Sequence, residues 1–495
     1  MARTATQELG NESVRMGLGP PMDLAELPAP PPFNLRNFVK MLGVGAILVS
    51  VSIGSGEWLL GPAAVIQYGP QLLWIVTIAT ILQTVFNLET QRYTLYTGEP
   101  VMVGLMRLPP GRWLWGPLWI LLTVVSIGPG WALASATALA AMALGRMPEQ
   151  ADKAWVIALG IVAMVLVMAV VSFGQRVERT LARVSTVAIV FIFASLLIFD
   201  LWLVPFEWWG KIAAGFFNFG FLPAAKGGQG VDWILLGGFA AYAATGGIFN
   251  MATSNWMRDR GWGMGSQVGY IPSLIGGRRI EVSETGKVFR LTEENLRRFW
   301  EWMRYARWEQ WTLYFIGCML GMYFSVLLAA GLIAPGTKVG GWAVAARQAE
   351  AVAQHLGTFG WYWVLLIGFW VLWGTQLNAT DAAVRHLTDL LWNLGPAFRR
   401  LARQDIRLIY YVILAVVTLW MAYLFVVGTP LGLVLLVSNA AGLVFVIGGL
   451  MVLWLNSTLL PRELRPNWVN QLLLLLLAVF YGFFVYKAIA AALAG

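Results

Sequence analysis

A long apolar segment near the start of the chain is interrupted at residues 49–58, which read VSVSIGSGEW. The interruption places a flexible Gly-Ser-Gly and the carboxylate of Glu57 where a continuous membrane helix would otherwise run. A second apolar segment is interrupted at residues 243–250, which read AATGGIFN, with paired glycines followed by Asn250. Backbone groups released from helical hydrogen bonds are costly in hydrocarbon. Two such interruptions therefore need a structural or functional reason.

The composition is that of a helical membrane protein. Of the 495 residues, 58% are hydrophobic and only 12% are charged, whereas a soluble protein carries about a quarter charged residues. This excludes a soluble enzyme, a disordered chain and a nucleic-acid-binding domain as the main interpretation. The single cysteine, Cys318, excludes an intrachain disulfide framework, and two histidines are too few for a histidine-rich metal site. We expect neither a resident cofactor nor a nucleic-acid partner.

Eleven apolar segments are long enough to cross a hydrocarbon core of about 30 Å. They lie at residues 38–68, 71–97, 113–144, 153–174, 180–205, 231–257, 308–334, 357–379, 407–427, 430–456 and 468–493. With the N-terminus inside, 27 of the 34 lysines and arginines fall on the inner side, in agreement with the positive-inside rule. The sequence therefore predicts a multi-pass protein of the inner (cytoplasmic) membrane, with a cytoplasmic N-terminus and an external C-terminus.

The positions of the two interruptions predict how the chain is organised. They fall in the first and sixth spans, which are corresponding positions of two five-helix halves and point to the central site of an inverted-repeat secondary transporter. We predict an all-α polytopic fold of the LeuT type, with about eleven transmembrane helices, a five-plus-five inverted repeat, and broken helices 1 and 6. The predicted units are a disordered, proline-rich cytoplasmic tail (1–37), the first repeat (38–205), an external loop (206–230), the second repeat (231–456) with a cytoplasmic insertion (258–307), and an additional helix 11 (457–495).

The cytoplasmic insertion contains a predicted amphipathic helix. Residues 291–300 read LTEENLRRFW, and Thr292 is the expected N-cap. We interpret this helix as an interfacial helix that faces anionic lipid. A regulatory or partner-binding role is the alternative.

Glu57 is the only acidic residue that the sequence places near the middle of a span. An ionisable group at that depth is a functional candidate by default. The alternative is a structural role, in which Glu57 pairs with a helix N-terminus or with an arginine of another span. Asp381 and Asp389, near the inner end of the eighth span, are interpreted as solvated or paired surface charges. The predicted hinges of the two interruptions are Gly54, Gly56, Gly246 and Gly247. The alternative explanation for these glycines is that they allow close packing of helices.

Several motifs, in order and in register, resemble the natural resistance-associated macrophage protein (Nramp) family of divalent-metal transporters, within the amino acid-polyamine-organocation superfamily. They are QYG at 67–69 followed by LLW at 72–74, QRYTLYTG at 91–98, RVERTL at 176–181, SN at 438–439 and LNS at 455–457. The similarity extends over nearly the whole hydrophobic part of the chain, and the predicted topology agrees with it.

The metal-binding motifs of that family are replaced in this chain. The family's Asp-Pro-Gly-Asn motif corresponds to residues 54–57, so that Gly54 stands in place of the aspartate and Glu57 in place of the asparagine. In the second interruption, Gly247 replaces the metal-binding methionine and Phe249 replaces a histidine. Loss of the soft thioether removes a preference for transition metals. A wider, oxygen-lined site would suit a hard, partly hydrated ion such as Mg²⁺.

The proton pathway of the family also lacks its residues here. Its acidic residues correspond to Gly128 and Trp131, and a second histidine corresponds to Ser254. The resemblance therefore implies a remote branch with weak or absent proton coupling. Trp58 and Trp131 lie beside the interruptions, and either could narrow the site.

The main functional hypothesis is a secondary transporter that moves a divalent cation, Mn²⁺ or Mg²⁺, by alternating access. Glu57 and Asn250 are the predicted metal ligands, and backbone carbonyls with hydroxyl and amide side chains would complete an oxygen shell. The predicted substrate site consists of Val51, Gly54, Ser55, Glu57, Ala244, Thr245, Gly247, Asn250 and Asn439.

Two other classes of function remain as alternatives. The first is transport of a small organic solute, amino-acid-like or anionic, bound by backbone amides at the glycine-rich breaks. The second is a membrane enzyme or a scaffold, but an enzyme needs convergent titratable groups and a scaffold needs no matched interruptions. The expected partners are the cargo and the lipid bilayer. The sequence does not define an oligomeric state, and a monomer is consistent with it.

Overall fold

The computed structural model describes residues 6–9, 13–224, 230–277, 282–337 and 346–494. In the first half of the chain the helices are α1 (Leu35–Met41), α2 (Val44–Ser52), α3 (Gly61–Tyr68), α4 (Trp74–Thr97), α5 (Val101–Leu105), α6 (Arg112–Ser126), α7 (Gly130–Leu144), α8 (Lys153–Ser172), α9 (Val177–Leu203) and α10 (Phe206–Gly215). In the second half they are α11 (Trp233–Ala241), α12 (Ile248–Arg260), α13 (Glu293–Trp308), α14 (Ile316–Leu332), α15 (Arg347–Leu394), α16 (Pro396–Leu401), α17 (Ile406–Val427), α18 (Pro430–Thr458) and α19 (Trp468–Ala494). Wider π-helical turns cover Gly56–Leu60 and Glu309–Phe315.

Ten helical segments in the described part of the chain are long and apolar enough to cross a membrane. They are Val44–Tyr68, Pro70–Thr97, Arg112–Leu144, Gln150–Ser172, Val177–Leu203, Glu293–Leu332, Arg347–Leu394, Ile406–Val427, Pro430–Thr458 and Trp468–Leu493. The predicted sixth span, residues 231–257, consists instead of α11 with 9 residues and α12 with 13 residues. Each is too short to cross alone, so the predicted count of eleven depends on taking them together.

The first interrupted element joins α2 to α3. The backbone leaves the helix at Ile53 (φ −71°, ψ 76°) and continues through a π-helical turn into α3. A side chain on Gly54 would collide with the hydroxyl of Thr375, and one on Gly56 would collide with the carbonyl oxygen of Tyr242. These glycines therefore allow close approach of neighbouring elements as well as the interruption itself.

The second interrupted element is α11 and α12 with the non-helical residues 242–247 between them. Gly246 and Gly247 have φ angles of +108° and +61°, in a region that favours glycine. Space is also limiting, because a Cβ on Gly247 would lie 2.8 Å from the carbonyl oxygen of Ala441. Both the backbone conformation and the packing therefore require glycine at position 247.

The two interrupted elements lie next to each other within the bundle. α12 packs against α2 and α4, and the π-helical turn after α2 contacts α11. The long helix α15 bends at Gly357 (φ +58°) and packs against α2, α7 and α9. Buried apolar side chains of these helices form a continuous core around the interruptions.

A small sheet connects the N-terminal segment to the insertion between α12 and α14. In the described residues its strands are β1 (Thr6–Leu9), β2 (Ser13–Met16), β3 (Met22–Leu24) and β4 (Lys287–Val288), in that order. β3 and β4 run parallel, whereas the other neighbouring strands are antiparallel.

The structure corrects the prediction of a disordered tail over residues 1–37, because described residues of this stretch form β1–β3 and its proline-rich part is bound to α13. Trp302 Nε1 donates a hydrogen bond to the carbonyl oxygen of Pro28 at 2.8 Å, and the Tyr305 hydroxyl donates to that of Pro31 at 3.1 Å. Proline-rich chains favour an extended conformation with no internal hydrogen bonds. Their free carbonyl groups can therefore be bound by aromatic donors elsewhere in the chain.

The predicted amphipathic helix of the insertion is α13, and its N-cap is confirmed. Thr292 Oγ1 accepts a hydrogen bond from the Asn295 amide at 3.2 Å. One side of α13 does not face lipid, since Trp302 and Tyr305 are buried against the N-terminal segment, whereas Trp300 and Trp308 are exposed. The proline-rich segment thus covers one face of α13, and the interpretation that its other face meets lipid stays a prediction.

The stretch predicted as an external loop, residues 206–230, begins with α10. This helix packs against α14. Residues 225–229 of the predicted loop lie outside the described residues.

Candidate functional site

Hydrogen bonds join the two interruptions directly. Ser52 Oγ and Thr245 Oγ1 lie 2.7 Å apart, and Thr245 Oγ1 donates to the Tyr314 hydroxyl at 3.0 Å. The Thr245 amide donates to Gln83 Oε1 at 2.9 Å. The end of α2 therefore meets the non-helical residues before α12, together with side chains from two further elements. We define the central site as residues 50–57 and 242–250 with the side chains that contact them.

Asn250, at the beginning of α12, is held by three acceptors. Its Nδ2 lies 2.9 Å from Asn87 Oδ1, 3.2 Å from Gln83 Oε1 and 3.3 Å from the Tyr314 hydroxyl. Asn87 Nδ2 in turn donates to Gln310 Oε1 at 2.9 Å. The Oδ1 atom of Asn250 is buried and has no hydrogen-bond partner among the described residues. Asn250 therefore keeps a free acceptor inside the bundle.

Aromatic rings fill the space beside the two interruptions. Trp131 stacks on Tyr242, with ring centroids 5.8 Å apart, and meets the Phe249 ring edge-on at 5.7 Å. Its indole Nε1 donates to Ser55 Oγ at 2.7 Å. All three rings are buried. The structure thus places Trp131 in the site, as the sequence suggested.

Glu57 is fully buried and supports the backbone at the first interruption. Its Oε2 accepts a hydrogen bond from the Gly54 amide at 3.1 Å, whereas Oε1 has no partner within the described part of the chain. The side chain faces α14, where a Cβ added to Gly321 would lie 3.6 Å from Glu57 Cγ. Glu57 therefore caps an amide released by the interruption, which is the structural role given above as the alternative, and it retains one free oxygen.

Of the remaining predicted site residues, the structure places some in the central site and one outside it. The carbonyl oxygen of Val51 lies 3.4 Å from Thr375 Oγ1, which donates to it, and Ala244 is buried in the non-helical stretch. Asn439 is not part of the central site, contrary to the prediction. Its Nδ2 donates to the carbonyl oxygen of Ile234 at 3.0 Å, so this residue holds α18 against the beginning of α11.

Sequence reasoning missed several polar side chains of the central site. Gln83 and Asn87 are buried one helical turn apart on α4, and both contact Asn250. Asn378, on α15, donates from Nδ2 to Ser50 Oγ at 3.1 Å. Two carboxamides four residues apart share one face of a helix. That spacing within an apolar span is the signal that could have identified Gln83 and Asn87.

The described residues contain no group of three or more His, Cys, Asp or Glu side chains that could hold a metal ion. The two predicted metal ligands, Glu57 and Asn250, are buried and each has one free oxygen. Most other side-chain groups of the central site are hydroxyls, carboxamides and aromatic rings. The site is therefore predominantly neutral.

A buried charge cluster lies at the end of α12 that is distant from the interruption. Arg385 pairs with Asp381 at 2.8 Å and with Asp259, and Arg258 pairs with Asp389 at 2.6 Å. Asp381 and Asp389 are thus paired, as one of the two interpretations held, but they are buried rather than on the surface. Burial of charge requires such pairing. The cluster fastens the second half of the broken element to α15.

Comparisons with known proteins identify the fold. No protein-family model and no curated protein match the sequence. A mutant of the Eremococcus coleocola manganese transporter superposes with a TM-score of 0.61 at 14% identity, covering 96% of this chain and 90% of that one. A second mutant gives the same TM-score and coverage at 15% identity. The transporter in complex with an aromatic bis-isothiourea compound gives 0.59 at 14% identity, covering 94% and 90%.

The chain has the fold of an Nramp-type manganese transporter. The Nramp resemblance seen in the sequence is therefore confirmed at the level of the fold, over nearly the whole chain. The predicted class, an all-α polytopic membrane protein of the LeuT type, is confirmed as well. At 14% identity the similarity establishes the Nramp-type fold but does not establish which cargo this chain moves. The residues of the central site must decide what this chain binds.

Proposed function

We propose that the protein is a secondary transporter that works by alternating access around the central site. The observation that carries this proposal is the contact between two interrupted helical elements, made by Ser52 and Thr245 deep in the bundle. Interrupted elements present backbone groups to a cargo and provide points about which helix halves can move. The transporter fold supports the same proposal. We propose that this conformation, in which Trp131 and its aromatic neighbours fill the site, is a closed state.

We also propose that the cargo is a small polar organic solute, the hypothesis that stood second in the sequence analysis. Small-molecule sites combine aromatic walls with a few placed polar groups, and Trp131, Tyr242 and Asn250 supply both. The free Oδ1 of Asn250 is available to a donor on the solute. A site whose side chains other than Glu57 are neutral stabilises a neutral or zwitterionic molecule better than a doubly charged ion, whose burial requires several oxygen ligands and charge compensation.

A divalent cation is the second candidate cargo. Glu57 Oε1 is a buried carboxylate oxygen without a partner among the described residues, and a solved protein with this fold is the manganese transporter of Eremococcus coleocola. For this function the carboxylate would have to turn from α14 toward Asn250. The helix positions that carry acids in the family hold Gly128 and Trp131 here, so we propose that either cargo moves with little proton coupling.

Uptake into proteoliposomes tests both candidates in one design. The panel contains neutral and zwitterionic solutes, Mn²⁺ and Mg²⁺, with internal pH recorded during uptake. The variants are Asn250→Ala, Glu57→Gln and the matched control Asn439→Ala, which removes an asparagine outside the central site.

The solute proposal expects saturable uptake that falls about tenfold or more in Asn250→Ala, because a hydrogen bond to a polar cargo is lost. Uptake should stay within about twofold of wild type in Asn439→Ala and Glu57→Gln, without competition from divalent ions. Saturable Mn²⁺ or Mg²⁺ uptake that disappears in Glu57→Gln would instead establish the cation candidate. Folded protein that moves neither class would contradict the transporter proposal.

A further inference from the structure

A basic groove lies between the beginning of α9 and the residues that connect α1 to α2. It has a volume of about 660 Å³ and is lined on one side by Lys40 and Leu42 and on the other by Arg179 and Arg183. The two arginines are four residues apart and therefore project from the same face of α9. Since α1 ends and α9 begins at this point, the groove lies where the apolar part of the bundle is followed by charged residues.

Three basic residues of this groove have no charge partner among the described residues. Lys40, Arg179 and Arg183 are exposed, and none forms an ion pair or side-chain hydrogen bond within the part of the chain that the structure describes. Like charges four residues apart on a helix repel each other. An anion between them would remove that repulsion.

Arg260, the fourth basic residue of the groove, is fully engaged. It pairs with Glu178 at 2.8 Å and donates to the carbonyl oxygens of Lys40, Met41 and Leu42 at 3.0, 3.0 and 2.7 Å. This arginine fixes the chain before α2 against α9 and so preserves the shape of the groove. The other three basic residues are left to bind a ligand.

An apolar surface continues from the basic groove along α9. Val187 and Val190 follow Arg183 on the same side of the helix and are 69% and 63% exposed. A free phosphate would make no use of this surface. A molecule with an anionic head and an aliphatic chain matches both parts.

We propose that the groove binds the phosphate of an anionic phospholipid, with an acyl chain lying along Val187 and Val190. The phosphate would bridge Lys40 to Arg179 and Arg183 and so tie the end of α1, just before α2, to α9. Because α2 is the first half of an interrupted element, the bound lipid should stabilise the closed arrangement of that end of the bundle. The lipid site does not depend on which cargo the protein moves, or on its moving one.

The test compares Arg179→Gln/Arg183→Gln with Arg400→Gln/Arg462→Gln, which removes two exposed arginines outside the groove. Full-length protein in neutral detergent is titrated with dioleoylphosphatidylglycerol, dioleoylphosphatidylcholine, glycerophosphoglycerol or inorganic phosphate, and bound lipid is counted by native mass spectrometry. Size-exclusion profiles and melting temperatures without lipid establish that each variant is folded.

We expect phosphatidylglycerol to bind the groove variant about thirtyfold more weakly than wild type, since each basic residue near an anionic lipid contributes about a factor of five. The control pair should stay within about threefold. An equal loss in both pairs, or no loss in either, would overturn the site. Equal binding of glycerophosphoglycerol or inorganic phosphate would overturn the lipid assignment in favour of a soluble anion. Equal binding of phosphatidylcholine would overturn recognition of the anionic head.

Discussion

At position 247 a side chain is excluded by the backbone conformation and by the neighbouring chain. The φ angle is +61°, and a Cβ would approach the carbonyl oxygen of Ala441 to 2.8 Å. We expect Gly247→Ala to lower the free energy of unfolding by about 1–3 kcal/mol, the usual cost of holding a residue other than glycine in such a conformation. Thermal and denaturant unfolding in detergent would measure it.

Gly482→Ala is the matched control for that substitution. Gly482 lies within α19, and a Cβ there would meet nothing nearer than 3.9 Å. In a helix interior alanine is favoured over glycine, so the control should be neutral or slightly stabilising. Equal destabilisation by the two substitutions would show that position 247 has no special constraint.

The carboxylate of Glu57 serves the interruption as a hydrogen-bond acceptor. Glu57→Gln keeps an oxygen that can accept from the Gly54 amide, so its stability should change by less than about 1 kcal/mol. Glu57→Leu removes the charged one of the two acceptors of that buried amide, the other being the carbonyl oxygen of Ser52 at 2.7 Å, and should cost about 1–3 kcal/mol. Melting curves of the two variants distinguish these outcomes. A loss in Glu57→Gln as large as in Glu57→Leu would mean that the charge, rather than the acceptor, is what the fold needs.

At the scale of elements, the hydroxyl pair Ser52–Thr245 is the direct link between the two interrupted elements. In a double-mutant cycle, Ser52→Ala and Thr245→Val should each destabilise, with a coupling energy of about 1 kcal/mol. The same cycle with Ser52→Ala and Thr418→Val serves as a control, because among the described residues Thr418 bonds within its own helix, to the carbonyl oxygen of Leu414. Zero coupling in the first cycle would show that the elements are held together by packing alone.

The interruptions were predictable because glycine pairs inside apolar segments are a local signal. The second break contains Gly246 and Gly247, whereas the first leaves the helix at Ile53, next to Gly54, and Gly56 lies within the π-helical turn. The surroundings of the breaks are set by tertiary packing, which a single sequence does not display. Asn439 illustrates the difference, since only the register of α18 against α11 decides that it faces Ile234. The amides of Gln83 and Asn87 were overlooked because each is an ordinary polar residue until α4 packs against α12.

For the proline-rich segment before α1, the sequence predicted disorder where the structure shows an ordered segment. Its composition indicates disorder when taken alone, and the prediction had no means of including α13, which lies more than 250 residues later. Carbonyl groups of Pro28 and Pro31 accept hydrogen bonds from Trp302 and Tyr305. A local pattern thus predicted the fold of the membrane helices well and the N-terminal segment poorly, because the stability of that segment comes from a distant partner.

For the whole molecule, a buried ion pair outside the membrane-spanning segments anchors the N-terminal segment to the bundle. Arg107 pairs with Glu99 at 2.6 Å and donates to the carbonyl oxygen of Pro20 at 2.8 Å. Burial alone would raise the pKa of Glu99, but the Arg107 guanidinium outweighs burial and holds the pKa of Glu99 below its ordinary value. The pair therefore stabilises the folded protein above the unfolded-state pKa of about 4.3.

This stabilisation should be lost as the pH falls through the lowered pKa of Glu99. We expect the melting temperature of the wild type to fall as the pH drops below the unfolded-state pKa of about 4.3, and the fall to be smaller in Glu99→Gln. Glu207→Gln, which alters an exposed pair with Lys211 on α10, should follow the wild-type curve. Identical pH profiles for Glu99→Gln and wild type would contradict a lowered pKa for Glu99.

Glu57 Oε2 accepts a hydrogen bond from the amide of Gly54, which lies only three residues away in the same short stretch of chain. If α2 tilts while α12 stays in place, the bond between Ser52 and Thr245 must break, but that between Gly54 and Glu57 can travel with the joint. The Gly54 amide therefore needs no water molecule or neighbouring helix as a hydrogen-bond acceptor when α2 tilts. Bending at this interruption within a bilayer then costs little free energy, because the acceptor for the released amide moves with the bending segment.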